Sequence, residues 1–516
     1  MGGGSVRVLA ALVAVVASVA CAAPAAGAPP QPSPGDVGIG DPLFLTLGNG
    51  GYDADHYSLA LRYPTADAQQ TVSGSVTMSA RATQALSQFD LDFAGDSVES
   101  VSVDGRPAAW TWSDEELAIT PAQALHDHEK FVVRVDYTAH TSPPAPGDPF
   151  PFGWFTVNGG SVTAGQPNFG HDIYPVNDHP ADKASYDIHF DVPEGTTAVA
   201  NGDLVSRTTT NGRTSSVYVM DEPMASELIQ LAVGQFDVTD RPDVDGVKVR
   251  DVSSSSATDL VEPALARTPD HLRWMIDQVG RYPFNTYGVL AADQQFFYAL
   301  ETQTLSLHPA FLFEPPRTAA GYEPIMVHEL AHQWFGDDLA PVRWQDVWLN
   351  EGHADYYQQV YAQEFFFGDD YTVGYWRDAY QRANQLRHDF GPVAMPTGND
   401  IFTLFSDNVY SGGSLVLYAL RQVVGEDTFR DIEQTWVKRY SGESVSTEQF
   451  IDHVNHIAHR DLTAFLRDWL YGDTVPPMPG HPDWTADPVA VAPTPAATSS
   501  PALPTARGLE LHLYKR

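Results

Sequence analysis

The sequence predicts a multidomain protein: an N-terminal antiparallel β domain followed by a mainly helical α+β domain. Two observations carry this. Apolar and polar residues alternate with a period of two through the first half, and after the serine run at 253–256 the apolar spacing changes to the three-and-four pattern of helices. A third bounds the folded part. Beyond Trp484 the composition collapses to Pro, Ala, Thr and Ser, too poor in apolar side chains to offset chain entropy.

In chain order, the first expected element is an export signal over residues 1–28. Arg7 precedes an apolar run from Val8 to Ala20, and small residues follow. A membrane-spanning helix needs about 20 predominantly apolar residues, and this run stops before Pro24. Ser18-Val19-Ala20-Cys21 resembles a lipobox, with Ser18 where that pattern usually begins with Leu, whereas cleavage after Ala22 removes the cysteine. The expected location is therefore secreted; the alternative is a lipid anchor at Cys21 on the outer face of the cell membrane.

Residues 41–250 form the expected β domain. The runs 56–63, 89–93, 130–137 and 184–190 alternate in character, and Asp104-Gly105 and Asn211-Gly212 are tight-turn dipeptides. Residues 251–484 form the expected helical domain. Helical spacing covers 260–279, 324–335, 349–366, 410–424 and 446–456, with short strand-like stretches at 287–291 and 302–307. Residues 485–516 are left as a Pro/Ala-rich tail.

Composition narrows the function classes. With 43% hydrophobic residues over 516 positions, the chain can bury a large core. Lys and Arg number 29 against 66 Asp and Glu, a formal charge of −37. Such a field repels phosphate backbones and anionic lipid, which argues against nucleic-acid partners and polybasic membrane binding. A single cysteine excludes a disulfide framework and a cysteine-rich metal site, so any metal must be held by His and carboxylate.

The stretch 327–336 reads Val-His-Glu-Leu-Ala-His-Gln-Trp-Phe-Gly. Residues four apart on a helix share one face, so His328 and His332 can present ring nitrogens to one metal. Glu329 lies about 100° round the helix, within reach of a metal-activated water without being a ligand. Gly336 suits a helix terminus. A catalytic zinc needs a third protein ligand, and Glu351 stands in a second helical stretch, separated from His332 by eighteen residues.

HELAHQWFG followed by WLNEG resembles the aminopeptidase N family of thermolysin-like zinc peptidases. Residues 298–302 (YALET), 409–417 (VYSGGSLVL) and 174–184 (YPVNDHPADKA) resemble three further segments of that family, and the similarity runs from about residue 41 to 480. The resemblance implies a thermolysin-like catalytic domain and one Zn2+ per chain, held by His328, His332 and Glu351. It also implies peptide substrates with a free N-terminus. Glu329 is then the general base that takes a proton from the attacking water and returns it to the leaving amine. Tyr410 is the donor to the oxyanion, and Glu301 is the carboxylate that anchors the substrate's α-ammonium. Gln166 corresponds to a family glutamine near the substrate's N-terminus. Asp355, four residues after Glu351, is the expected acceptor for the second N–H of a zinc-bound histidine, as at that offset in thermolysin. His353 stands where the family carries an aromatic residue and reads as packing.

Three positions depart from the family's segment around Glu301: Tyr298 for Gly, Leu300 for Met and Thr302 for Asn. Larger members continue with several hundred residues of helical repeat over the cleft, so a short form is implied whose cleft is more open or is closed by another molecule. The expected activity is that of a secreted zinc aminopeptidase. The alternatives are a zinc endopeptidase or bifunctional zinc hydrolase on the same site, and a non-catalytic surface-binding module. The last fits least, because Glu329, Tyr410 and all three zinc ligands are present.

Overall fold

Alternating side chains make two-faced strands, and the first half of the chain stacks such strands into three sheets. The computed structural model describes residues 1–3 and 31–489. The expected export signal beyond residue 3, with Cys21, and residues 490–516 of the expected tail lie outside the described residues.

The largest sheet has eight strands, in the order Asp203–Thr210, Arg213–Met224, Ala184–Pro193, Tyr52–Arg62, Thr71–Ala82, Lys130–His140, Ser97–Val103 and Arg106–Pro107. Its central strand Tyr52–Arg62 buries Tyr52 and Ala54, then, after a bulge between Ala54 and His56, alternates with Tyr57, Leu59 and Leu61 inward. The sheet is antiparallel except where Ala184–Pro193 lies parallel to Tyr52–Arg62. Asp104-Gly105 and Asn211-Gly212 both carry the paired positive φ angles (50° and 71°; 53° and 73°) of a hairpin turn whose twist matches its strands.

A second sheet pairs Leu86–Asp92, Ala109–Ser113 and Glu116–Thr120 with Ser33–Pro34. A third, of Gly153–Val157, Gly160–Ala164, Leu231–Gly234 and Thr197–Ala200, ends at the loop that carries Gln166.

The change of region comes earlier than residue 251. Strands Phe236–Val244 and Val247–Ser254 form a hairpin, but Val247–Ser254 also pairs in parallel with Val289–Ala292, which pairs in parallel with Ser306–Pro309. The hairpin therefore belongs to the sheet of the second region. Its alternation looks like more of the β domain because period-two patterning reports a half-buried strand, not the sheet it joins.

Helices follow: α1 (Thr258–Leu265), α2 (Thr268–Val279), α3 (Ala319–Ala331), α4 (Trp348–Ala362), α5 (Asp370–Phe390), α6 (Ile401–Leu404), α7 (Asp407–Val424), α8 (Glu426–Tyr440), α9 (Thr447–Ala458) and α10 (Thr463–Tyr471). The single helix expected over 260–279 is two. Pro269 cannot donate a backbone hydrogen bond and so sits at the start of α2 rather than inside a longer helix. The start expected at Ser446 holds: Ser446 caps α9 and forms a reciprocal box with Gln449.

The described chain stays packed past Trp484. The Asp487 amide donates to the Gln381 carbonyl on α5, and Trp484 is buried. Among the described residues no helix is long and apolar enough to cross a membrane.

The two regions share polar ties beside α3. Half-buried Lys183, from the β domain, donates to the Asp337 and Asp338 carbonyls at 2.8 and 2.7 Å. Burial pushes its ammonium down to about 8, while the nearby carboxylates oppose that shift. Asp41 accepts from the Trp344 amide at 2.8 Å and meets His179 Nε2 at 3.2 Å.

Candidate active site

The last turn of α3 and the first turn of α4 meet in the interior, and the residues read as metal ligands are what meets there. His328 and His332 face each other with ring centroids 4.9 Å apart. Glu351 Oε2 stands 3.4 Å from His328 Nε2 and 3.4 Å from His332 Nε2, with all three side chains buried. That spacing tests the fit of zinc. Ligand atoms about 2.0–2.1 Å from a tetrahedral ion stand about 3.3 Å from one another. Among the described residues Glu351 Oε2 has no hydrogen-bond partner although it is buried, and a cation between the three atoms would satisfy it. The donor set of two imidazoles and one carboxylate fits Zn2+ with a position left for water or substrate.

The electrostatics agree. Burial acts to raise the Glu351 carboxyl, but the adjoining His332 and His328 outweigh it and hold it at about 2. His332 Nδ1 lies 3.1 Å from the Phe335 carbonyl, which turns the other ring nitrogen, Nε2, towards Glu351. Gly336 ends this turn at φ +136°, and a Cβ there would come within 3.1 Å of Asn350 and 3.4 Å of the His332 ring. His353 is packing, as read: buried, and stacked on Phe335 at 4.3 Å.

Glu329 is buried beside the histidines. Burial pushes its carboxyl well above the ordinary range, and the charges of Glu301 and Glu351 push the same way against His332. Tyr410, in the first turn of α7, lays its half-buried ring on His328, 5.8 Å apart and 18° from parallel. Burial raises its hydroxyl well above the ordinary value, and Glu351, Glu301 and Glu329 raise it further. That hydroxyl stays protonated and can donate.

Glu301 lies in the loop ahead of strand Ser306–Pro309, with Oε1 4.0 Å from His332 Nδ1. Gln166, from the β domain, donates through Nε2 to the same oxygen at 2.6 Å. Two residues 135 positions apart thus meet beside the metal ligands.

Asp355 departs from its expected role. Its carboxylate accepts from Tyr375 on α5 at 2.9 and 3.0 Å, from Gln359 at 2.9 Å and from Ser414 on α7. Among the described residues His328 Nδ1 has no hydrogen-bond partner. One turn beyond Glu351, the Asp355 side chain binds α5 and α7 instead of the ligand histidines. It reaches the site indirectly, through Ser414, one helical turn after Tyr410.

Sequence reasoning missed Gln333. Its Nε2 donates to the Glu301 carbonyl at 3.0 Å, while its Oε1 accepts from the Thr304 amide at 2.7 Å and the Tyr282 hydroxyl at 3.0 Å. The residue after the second zinc histidine therefore braces the loop that presents Glu301. Its only sequence signal was its place inside HELAHQ, since an amide side chain carries no metal-ligating pattern.

Comparisons with known proteins match this architecture. The peptidase family M1 domain model matches residues 264–469, and the M1 N-terminal domain model matches residues 53–228. The crystal structure of an M1 zinc metallopeptidase from Deinococcus radiodurans superposes with a TM-score of 0.74 at 30% identity, covering 86% of this chain and 99% of that one. Among curated relatives, Aminopeptidase M1-A of Oryza sativa is 25% identical over 60% of this chain. Leukotriene A-4 hydrolase of Xenopus laevis is 24% identical over 81% of this chain and 71% of its own length. The first curated relatives are longer: the match spans 36% of the rice protein and 39% of the mouse endoplasmic reticulum aminopeptidase 1. With both domain models matched in order and the two-domain Deinococcus structure covered from end to end, this chain belongs to peptidase family M1.

Proposed function

We propose that the chain is a zinc-dependent aminopeptidase that removes residues from the free N-termini of peptides outside the cytosol. One observation carries the reading: Glu301, held by Gln166, sits 4.0 Å from a zinc-site histidine. A carboxylate so close to the ligands binds a substrate ammonium only when a single residue lies between that ammonium and the bond cut. A mutant of the Deinococcus radiodurans enzyme has been solved with a Tyr-Ser-Ala substrate, which supports a peptide ligand.

Bound by His328, His332 and Glu351, zinc supplies Lewis acidity, polarising the scissile carbonyl and making water acidic enough to lose a proton near neutral pH. Glu329 accepts that proton as the water attacks and hands it to the departing amine. The Tyr410 hydroxyl donates to the negative charge that develops on the carbonyl oxygen. Glu301 and Gln166 fix the ammonium and set the register of cleavage.

The test uses free and N-acetylated aminoacyl substrates, with zinc content measured on wild type and Glu329→Gln. The free substrate is cleaved and the acetylated one is not; Glu329→Gln keeps its zinc and loses at least about a hundred-fold in kcat. Equal cleavage of both substrates overturns the aminopeptidase reading in favour of an endopeptidase. A fully active, zinc-loaded variant overturns the role of Glu329. The residues of the first 28 positions support export, free or lipid-anchored through Cys21. Fractionation of cells expressing the full chain checks this, and retention in the cytosol overturns it.

A further inference from the structure

One helical turn away from the metal ligands, the Ser414 hydroxyl on α7 donates to the Asp355 carboxylate on α4. We propose that this hydrogen bond positions Tyr410, holding α7 against α4 in the register that aims the tyrosine hydroxyl at the developing oxyanion. The inference rests on the role given to Tyr410 and adds two positioning residues, Asp355 and Ser414, to the proposed reaction.

Spacing joins the pair to the chemistry. Asp355 follows Glu351 by four residues, and Ser414 follows Tyr410 by four. Four residues make one turn, about 6 Å of axis, so each member shares a helix face with its active-site residue. Between the two levels the helices cross at Gly352 and Gly413, where the backbones approach closely and neither residue offers a side chain. Such a crossing sets the distance between the helices but leaves them free to slide, and a side-chain hydrogen bond beside it fixes the register. The cap of α7 does not do this. Tyr410 lies in the first turn, yet Ser406 at the N-cap makes no capping hydrogen bond, and its buried hydroxyl has no partner among the described residues.

Helix α5 holds both ends of the bond. The Tyr375 hydroxyl donates to the two Asp355 oxygens at 2.9 and 3.0 Å, and Trp376 Nε1 donates to Ser414 Oγ at 3.3 Å. With Oγ accepting from the indole, its own proton is left for the carboxylate. Burial pushes the Tyr375 hydroxyl well above its ordinary value, and the Asp355 charge pushes the same way, so it serves only as a donor. Gln359 adds a further donor to Asp355 at 2.9 Å. Asp355 and Ser414 are buried, and a buried carboxylate that loses a donor is left with an uncompensated lone pair, which resists any sliding of the helices. Misplacing a catalytic group by about 1 Å costs up to about 10²-fold in rate. Register one turn from Tyr410 therefore reaches the oxyanion.

A double-mutant cycle tests the proposal. Steady-state kinetics on the free aminoacyl substrate, with zinc content and Tm measured, compare Ser414→Ala, Asp355→Asn, Tyr410→Phe and the two double variants that include Tyr410→Phe. Ser414→Ala and Asp355→Asn each lower kcat by about ten-fold, less than Tyr410→Phe does, with KM and zinc near wild type. Because both act through the tyrosine, neither lowers kcat further once Tyr410 is Phe. Losses that multiply in the double variants, or a kcat unmoved by either single variant, overturn the proposal and leave Tyr410 in its role. A lowered Tm with kcat intact assigns the pair to stability alone and overturns it as well. Should Ser414→Ala not fold, Asp355→Asn and Tyr375→Phe carry the same cycle. If wild type cleaves only the N-acetylated substrate, the aminopeptidase reading fails by itself. The cycle run on that substrate then decides the pair by the same rule.

Discussion

A tyrosine beside three buried carboxylates cannot ionise at working pH, which makes Tyr410 a donor and nothing else. Its contribution arises only when negative charge develops on the carbonyl oxygen, so it should appear in kcat and hardly in KM. Tyr410→Phe keeps the ring on His328 and removes only the donor. Steady-state kinetics should show kcat reduced by roughly 10²- to 10³-fold, with KM near wild type and zinc retained. A variant with unchanged kcat would remove Tyr410 from the chemistry. At this scale legibility followed chemistry. His328, His332 and Glu351 were readable because a metal dictates donor types and helical spacing dictates where they fall. Glu301, Gln166 and Tyr410 were readable only through resemblance, since nothing local marks a loop carboxylate as an ammonium anchor. Asp355 was misplaced because an offset of four fixes a helix face but not which neighbour that face meets.

Glu351 and Tyr410 belong to α4 and α7, and these helices cross with backbone against backbone. A Cβ on Gly352 would stand 2.9 Å from Gly413 atoms, and one on Gly413 would stand 2.8 Å from the Gly352 Cα. Elsewhere in a helix, Gly→Ala gains about 1 kcal/mol; here the neighbour is main chain and cannot yield, so overpacking of about 1–3 kcal/mol prevails. Gly413→Ala should lower Tm and reduce kcat by separating Tyr410 from Glu351. Gly374→Ala, on exposed α5 backbone with nothing within 4 Å of the added carbon, should raise stability by about 1 kcal/mol. Thermal melts of both variants decide: a Gly413→Ala protein as stable as wild type would refute the close crossing. Elements were legible where aliphatic side chains repeat. α5 escaped notice because its buried stripe is Thr372, Trp376, Ala379, Tyr380, Ala383, Leu386 and Arg387, helical in spacing but mixed in chemistry. The hairpin at 236–254 was legible as strands and not as part of the second region, because partner choice in a sheet is set by distant residues.

The formal charge of −37 counts every carboxyl as ionised, yet several are buried rather than displayed and hold their protons to higher pH. Burial raises Asp92 to about 7, and raises Glu116, Asp182 and Glu227 to about 8. A carboxyl held above its unfolded value of about 4 keeps its full contribution below that value and loses it as pH climbs to the folded one. Each such group costs about 1.4 kcal/mol per pH unit inside its window. His171 acts with the same sign over a later window. Burial lowers it, but the Asp178 hydrogen bond and charge outweigh burial and set it at about 9, so its contribution fades above about 6.5. Lys183 has the opposite sign, but its window opens only above about 8. The expected outcome is a Tm that falls steadily from pH 6 to pH 8 in zinc-saturating buffer of constant ionic strength. Glu227→Gln isolates one member of the set. Its Oε2 is buried without a partner, so a neutral amide stands in for the protonated acid. That variant should melt near wild type at about pH 4, and above it by a margin that grows from pH 6 to pH 8. A wild-type Tm that is level or rising across this range, or a variant whose slope matches wild type, would show that these carboxyls ionise without cost. The acid-rich interior would then be no constraint on the pH at which the enzyme holds together.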